Sequence, residues 1–132
     1  MNRRYWLLTA VAALARGSEG ATSLRGPLRQ DPEPVIESSG KRVVLSGDEA
    51  TMLVLRDSRL SGTDFEVLGA WHGPAAFDVE KIHKKALFVH RGGKRLYVTY
   101  WCDVCYIRTF SPGKCWCCQK ETDLDLRESL DN

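Results

Sequence analysis

Short segments between residues 42 and 127 alternate apolar with polar positions, the spacing of half-buried β-strands. The run Val43-Val44-Leu45 predicts one strand, and residues 65–71 predict another that stops at the breaker His72-Gly73-Pro74. Shorter apolar runs follow at 77–79 and 86–90. From about residue 42 the pattern therefore indicates a β-rich domain.

Residues 86–102 carry the clearest predicted supersecondary motif. Leu87-Phe88-Val89 leads into Gly92-Gly93, and a second run from Lys94 leads away, as in a two-strand hairpin on a glycine turn. The second strand places four residues on one face: Leu96, Val98, Tyr100 and Cys102. Residues 121–127 alternate again and predict a closing strand.

Two segments are candidates for helices. Residues 48–55 have a helical composition, and in residues 78–85 the positions of Val79, Ile82 and Ala86 approximate one helical face. Neither is long enough for a strong amphipathic pattern. The predicted fold is therefore all-β, a small barrel or sandwich of about five or six strands at 42–101.

The N-terminus has the organisation of an export signal. Residues 1–15 combine a basic start, an eleven-residue apolar run from Tyr5 and the small residues of Ala13-Leu14-Ala15, with cleavage expected after Ala15. The run is too short for a membrane-spanning helix, which needs about 20 residues. Arg3-Arg4-Tyr5-Trp6-Leu7-Leu8 resembles a twin-arginine signal, although the general secretory route is favoured. We expect a periplasmic or secreted protein with no integral membrane segment after signal removal.

Residues 16–41 are rich in Gly, Ser, Pro and charge, with prolines at 27, 32 and 34 and little apolar periodicity. Such composition predicts a flexible linker between the signal and the domain.

Charge argues against one class of partner. The chain has 19 basic and 17 acidic residues, and loss of Arg3 and Arg4 with the signal leaves 17 of each. A mature chain near neutrality offers no electrostatic reason to bind nucleic acid or an anionic membrane surface. An envelope protein is the expected partner.

All five cysteines lie within residues 102–118. Cys102/Cys105 and Cys115/Cys118 each form a C-x-x-C pair, and nine residues lie between the first pair and the second. Two such pairs on tight turns can place four thiolates at the corners of a tetrahedron, as closed zinc sites require. The fifth residue, Cys117, is a flanking thiol or an alternative ligand. The segment 102–132 is therefore predicted to be a metal lobe with a closing strand.

The stretch from Tyr100-Trp101-Cys102 to Pro112-Gly113-Lys114-Cys115-Trp116-Cys117-Cys118 resembles the zinc ribbons and heavy-metal-binding segments of bacterial proteins. The resemblance implies a zinc-ribbon-like or rubredoxin-like lobe with a local metal site. Ribbons commonly have Gly directly after each second cysteine, where this chain has Tyr106 and Gln119. The remaining residues resemble uncharacterised bacterial secreted proteins, which implies no activity.

Two other uses of the cysteines stay open: disulfides, which are common in exported proteins, and a catalytic thiol–disulfide pair. Zinc is the expected ion because structural zinc contributes folding free energy to a lobe with little core. Iron, an iron–sulfur cluster and copper are the alternatives that four thiolates also suit.

Other residues that could carry chemistry have simpler interpretations. The three histidines, at 72, 83 and 90, share no ligand spacing with the cysteines. The aromatics Trp71, Tyr97, Tyr100, Trp101 and Trp116 are expected to fill the core or to shield the thiolates. Asp103, Asp123 and Asp125 are expected on a solvated face. Because no nucleophile–base pair is evident, a non-enzymatic binding or assembly role is favoured, with a redox protein or a copper/zinc handling protein as the alternatives.

Overall fold

The computed structural model describes residues 21–130, and the predicted signal 1–15 lies outside the described residues. Nearly half of the residues, 49%, are in strands, and a cysteine cluster lies near the C-terminus, which confirms the all-β prediction. The strands within 21–130 are β1 (Thr22–Arg29), β2 (Val35–Ser38), β3 (Lys41–Ser46), β4 (Asp64–Trp71), β5 (Ala76–Val79), β6 (Leu87–Arg91), β7 (Lys94–Cys102), β8 (Ile107–Thr109) and β9 (Asp123–Arg127). The α-helix of this region is α1 (Glu49–Leu55), and Ser58–Leu60 and His83–Lys85 form single 3₁₀ turns.

The first five strands close into a barrel. Antiparallel pairs join β1 to β2, β2 to β3, β5 to β4 and β4 back to β1, while β3 and β5 run parallel. The strand order is therefore 1-2-3-5-4-1, with α1 between the third and fourth strands. This is the connectivity of the OB barrel, whose interior is filled by side chains.

Buried residues from all five strands fill the barrel, and α1 packs against them. The core includes Leu24, Leu28, Ile36, Val43, Leu45, Val54, Leu55, Phe65, Val67 and Phe77. The predicted helix at 48–55 is confirmed. Asp48 is its N-cap, because its carboxylate accepts the Thr51 backbone N–H at 2.9 Å.

The predicted linker 16–41 is wrong over Thr22–Arg29 and Val35–Ser38, which form β1 and β2. Leu24, Gly26 and Leu28 share the inward face of β1, so the small central residue interrupts the apolar alternation. A Cβ at Gly26 would overlap the backbone carbonyl oxygen of Glu37, and only glycine allows this close approach of the two strands. The alternation was therefore hidden by a residue that the packing requires.

The predicted helix at 78–85 is also wrong. Its first residues belong to β5, where Phe77 and Val79 are buried, and its later residues form a 3₁₀ turn. Ile82, assigned to the buried face of that helix, is 64% exposed. Pairing of β5 with both β3 and β4 outweighs the weak helical pattern.

The predicted glycine-turn hairpin is confirmed as β6 and β7. Gly92 and Gly93 have φ of 62° and 78°, the left-handed conformation that a two-residue hairpin turn needs. β6 pairs with β4 of the barrel, and β7 pairs with β6, β8 and β9. The predicted closing strand at 121–127 is thereby confirmed as β9.

β7 belongs to both the barrel sheet and the cysteine lobe. It starts beside the barrel and ends at Cys102, so the predicted boundary between 101 and 102 falls inside one continuous strand.

Of the residues described, none forms a helix long and apolar enough to cross a membrane.

A buried polar network fixes β7 against the barrel. The Tyr100 hydroxyl donates to Asp57 at 2.7 Å, and the Arg59 guanidinium donates to the same carboxylate at 2.9 Å. Arg59 also donates to the backbone carbonyl of Thr122 at 3.2 Å, next to β9. Although burial opposes the charge, hydrogen bonds from Arg59 and Tyr100 hold the pKa of Asp57 below its ordinary value. One carboxylate thus joins the barrel, β7 and the segment leading to β9.

We predict that Tyr100→Phe lowers the free energy of unfolding by about 1–3 kcal/mol, because it leaves the buried Asp57 carboxylate one donor short. Tyr97→Phe, the same deletion on the opposite face of β7 at a half-buried position, is the matched control and should cost less. Urea unfolding followed by circular dichroism measures both. Equal losses in the two variants would contradict a special role for the Tyr100 hydroxyl.

Candidate metal centre

The strand β7 delivers the first cysteine. Tyr100 and Cys102 point to the same buried face, and Cys102 is 2% exposed. The anchor between Tyr100 and Asp57 therefore lies two residues before the first sulfur and fixes its position relative to the barrel.

The first C-x-x-C pair forms a tight turn between β7 and β8. The Tyr106 N–H donates to the Cys102 carbonyl at 2.9 Å, and the Cys105 N–H points at the Cys102 sulfur at 3.4 Å. β8 then pairs back along β7, with Ile107 opposite Cys102. The turn is a knuckle whose backbone N–H group faces a sulfur, as a thiolate ligand requires.

The second pair repeats this arrangement. The Gln119 N–H donates to the Cys115 carbonyl at 2.8 Å, and the Cys117 N–H points at the Cys115 sulfur at 3.4 Å. A bridge between Lys114 and Glu121 closes the base of the turn. Beyond it, the Thr122 N–H and hydroxyl donate to the Gly113 carbonyl at 3.0 and 2.9 Å. These hydrogen bonds join the segment that enters the knuckle to the segment that leaves it.

Tyr106 and Gln119 occupy the positions where ribbons commonly have glycine, and both adopt positive φ, 56° and 68°. The backbone of each knuckle is thus in the left-handed conformation expected after the second cysteine, although the side chain is not the favoured one. The departure in residue type does not change the geometry of the turns.

The two knuckles bring four sulfurs together. The Sγ atoms of Cys102, Cys105, Cys115 and Cys118 all lie within 4.8 Å of one another. Sulfurs at the corners of a ZnS₄ tetrahedron with bonds of about 2.3 Å are about 3.8 Å apart, and Cys102 Sγ and Cys118 Sγ are separated by 3.6 Å. A disulfide would need about 2.05 Å, and all five cysteines are free. The cluster can hold a metal ion.

Backbone hydrogen bonds favour the thiolate form of Cys115. Hydrogen bonds from the N–H groups of Cys118 and Cys117 lower the pKa of the Cys115 thiol to about 7. Hydrogen bonding to Cys117 and burial raise the pKa of the Cys105 thiol. In the absence of a cation, the neighbouring sulfurs share protons, so one thiolate is favoured at the expense of another.

A second polar network holds the strands around the site. Arg108 on β8 donates to the Thr99 hydroxyl and to the Asp125 carboxylate, both at 2.8 Å, and its guanidinium lies 4.8 Å from the centre of the Trp101 ring. The Thr99 hydroxyl in turn donates to the Asp125 carbonyl at 2.5 Å. These contacts connect β8 to β9 across β7 and keep the first knuckle aligned with the closing strand.

The histidines are engaged away from the cysteines. His72 faces Asp78 at 3.2 Å, His83 lies 2.8 Å from the Phe110 carbonyl, and His90 lies 2.7 Å from Glu66. Within residues 21–130, the metal-ligand cluster comprises cysteines alone.

The three aspartates expected on a solvated face divide into two groups. Asp103 pairs with Lys120 at 3.3 Å on the surface, and Asp123 is exposed. Asp125 instead accepts from Arg108 in the network across β7, a structural role that its position in the sequence did not reveal.

The aromatics also divide. Tyr100 is fully buried in the core, and Tyr97 packs on Phe88 at a ring-centre distance of 5.0 Å. Trp71 is 46% exposed, and Trp116 is 72% exposed on the second knuckle. The expectation that Trp116 shields the thiolates or fills the core is therefore wrong, since its position between two cysteines in a tight turn directs it outward.

No protein-family model, no curated protein and no solved structure matches this chain.

We predict that Gln119→Gly raises the free energy of unfolding by about 1 kcal/mol, because glycine adopts positive φ without the steric cost of a side chain. Val104→Gly is the matched control, since this exposed knuckle residue does not have positive φ, and it should lower stability by roughly 0.5–1 kcal/mol. Urea unfolding of the purified variants and of the wild type measures both. Equal destabilisation by the two glycines would contradict the assigned turn conformation.

Proposed function

We propose that this chain binds one zinc ion through Cys102, Cys105, Cys115 and Cys118, and that the ion is structural. The convergence of four free cysteine sulfurs within 4.8 Å is the observation that carries the proposal. Structural zinc sites are closed, with four protein ligands in a tetrahedron. Because four thiolates fill every coordination position, this centre offers none to a substrate, which favours a non-enzymatic role.

The small amount of buried surface in the lobe supports a structural ion. Of residues 103–121, all of which the structure describes, Cys115 alone is buried. A segment that buries so little apolar surface gains little from the hydrophobic effect and needs a crosslink to hold its shape. Zinc would join the tip of the first knuckle to the second and so complete the lobe.

We further propose that the lobe presents a binding surface to a protein partner in the cell envelope. Three large apolar side chains around the site are exposed, namely Val104 at 54%, Tyr106 at 74% and Trp116 at 72%. Aromatic residues are enriched at protein–protein interfaces, whereas a mature chain with balanced charge does not favour nucleic acid. The OB-type connectivity hosts many unrelated functions and does not by itself name a ligand.

The sequence features of residues 1–15 support export, by the general secretory or the twin-arginine route, to a periplasmic or secreted location. Folding before export would allow the cysteines to take up metal while still reduced.

A metal-handling role is the second candidate, and the exposure of the ligands favours it over catalysis. Cys105 and Cys118 are only partly buried, and the exposed Cys117 directly precedes Cys118 in the sequence. A site with accessible ligands and a spare thiol could pass copper or zinc to an acceptor by stepwise ligand exchange. An iron–thiolate electron carrier is a third possibility for the same four ligands.

Elemental analysis of purified protein, with free thiols counted, tests the proposal. We expect one zinc per chain in the wild type, and loss of tight zinc binding in Cys102→Ser, Cys105→Ser, Cys115→Ser and Cys118→Ser. Cys117→Ser is the matched control and should retain one zinc. Metal-free protein with two disulfides would overturn the proposal. Visible absorption from an iron–thiolate centre would overturn zinc as the ion and support the electron carrier instead.

The rate of exchange with a chromophoric chelator separates the two zinc roles. A structural ion should exchange over hours, because release requires the lobe to open. Complete exchange within seconds would favour metal handling instead.

A further inference from the structure

Cys117 is the one cysteine of the five that is exposed to solvent, since the other four are buried or partly buried. It lies between the two ligands of the second knuckle, and its backbone N–H points at the Cys115 sulfur at 3.4 Å. The geometry leaves its sulfur outside the group of four, which already provides the number of ligands that zinc needs. A free thiol is therefore held at the solvent edge of the proposed site.

The Cys105 sulfur, on the other knuckle, lies within 4.8 Å of the sulfurs of Cys115 and Cys118, the two ligands on either side of Cys117, and Cys105 is only partly buried. The remaining sulfurs are less suitable partners for Cys117. Adjacent residues such as Cys118 have Cα atoms about 3.8 Å apart, shorter than the 4.4–6.8 Å usual for a disulfide. Cys102 and Cys115 are 2% and 1% exposed, so an oxidant or an attacking sulfur reaches them poorly.

We propose that Cys117 is an oxidation-sensing thiol that forms a disulfide with Cys105 and thereby releases the zinc ion. This inference rests on the proposed zinc site. It assigns a role to the cysteine that coordination leaves unused and makes the site responsive to oxidants of the peroxide class.

The chemistry balances with a peroxide as the oxidant. The Cys117 thiolate attacks one oxygen of hydrogen peroxide, the O–O bond breaks, and Cys117 becomes a sulfenic acid while the other oxygen leaves as hydroxide, which takes the proton that the Cys117 thiol released and becomes water. The Cys105 thiolate then leaves the proposed zinc site and attacks the sulfenic sulfur, the S–S bond forms, the S–O bond breaks, and the oxygen leaves as hydroxide, which takes a proton from solvent to give a second water. The two sulfurs lose two electrons in total, and the peroxide gains them.

Loss of Cys105 leaves three thiolates for the zinc ion, so its affinity falls and it dissociates. The new disulfide joins the two knuckles that the ion had joined, which keeps the remaining sulfurs close. Reduction by a dithiol restores both thiols and permits zinc to bind again.

The test treats the zinc-loaded full chain with hydrogen peroxide in the presence of a chromophoric zinc chelator. We expect the wild type to release zinc about tenfold faster than Cys117→Ser, because the variant lacks the exposed thiol that reacts first. Peptide mapping by mass spectrometry after alkylation of free thiols should find Cys105 joined to Cys117. Dithiothreitol and zinc should restore one ion per chain.

The outcomes separate this inference from the zinc proposal on which it rests. If both proteins hold one zinc and release it at the same rate, the sensing role of Cys117 is wrong and the zinc site stands. Mapping of the wild type alone also decides, since a first disulfide that omits Cys117 would overturn the inference whatever the variant does. If neither protein binds zinc, the zinc proposal fails and this inference fails with it.

Discussion

Four sulfurs held within 4.8 Å of one another impose the main constraint on this structure. Four thiolates at such distances repel one another, so the cluster must contain either protons or a cation. The backbone N–H groups at each knuckle offset part of this charge, and hydrogen bonds from the Cys118 and Cys117 N–H groups lower the pKa of the Cys115 thiol to about 7. A divalent ion satisfies all four sulfurs at once, whereas protons satisfy them only as neutral thiols.

The rest of the fold determines where this cluster forms. β7 continues from the barrel sheet to Cys102, and the network of Tyr100, Asp57 and Arg59 holds that strand while also reaching the Thr122 carbonyl beyond the second knuckle. Both knuckles are therefore positioned by the same buried carboxylate. The barrel acts as a rigid support for a lobe that buries almost no apolar side chains of its own.

The features that the sequence predicts well are local. Gly92-Gly93 predicts the hairpin, the composition of residues 48–55 indicates α1, and the two C-x-x-C spacings predict turns that converge, because each depends on residues close together in the chain. β1 and β2 were missed since Gly26 removes a side chain from the apolar alternation for a reason that lies on another strand. Closure of the barrel and the contact of Arg59 with Thr122 depend on residues far apart in sequence, which periodicity does not report.

Tyr106 and Gln119 both adopt positive φ, a conformation that glycine adopts more readily. Residue type at these positions argues against ribbon-like knuckles, yet the hydrogen bonds to Cys102 and Cys115 impose the left-handed turn on both. The requirement that two sulfurs point inward from each turn outweighs a local preference for glycine.

X-ray absorption at the zinc edge of the purified full chain is the decisive measurement, because it counts and identifies the atoms around the proposed ion. Coordination by the four cysteines predicts a single shell of four sulfur atoms at about 2.3 Å. A shell that includes nitrogen or oxygen atoms at about 2.0–2.2 Å would contradict it, since the four cysteines would then not form the site.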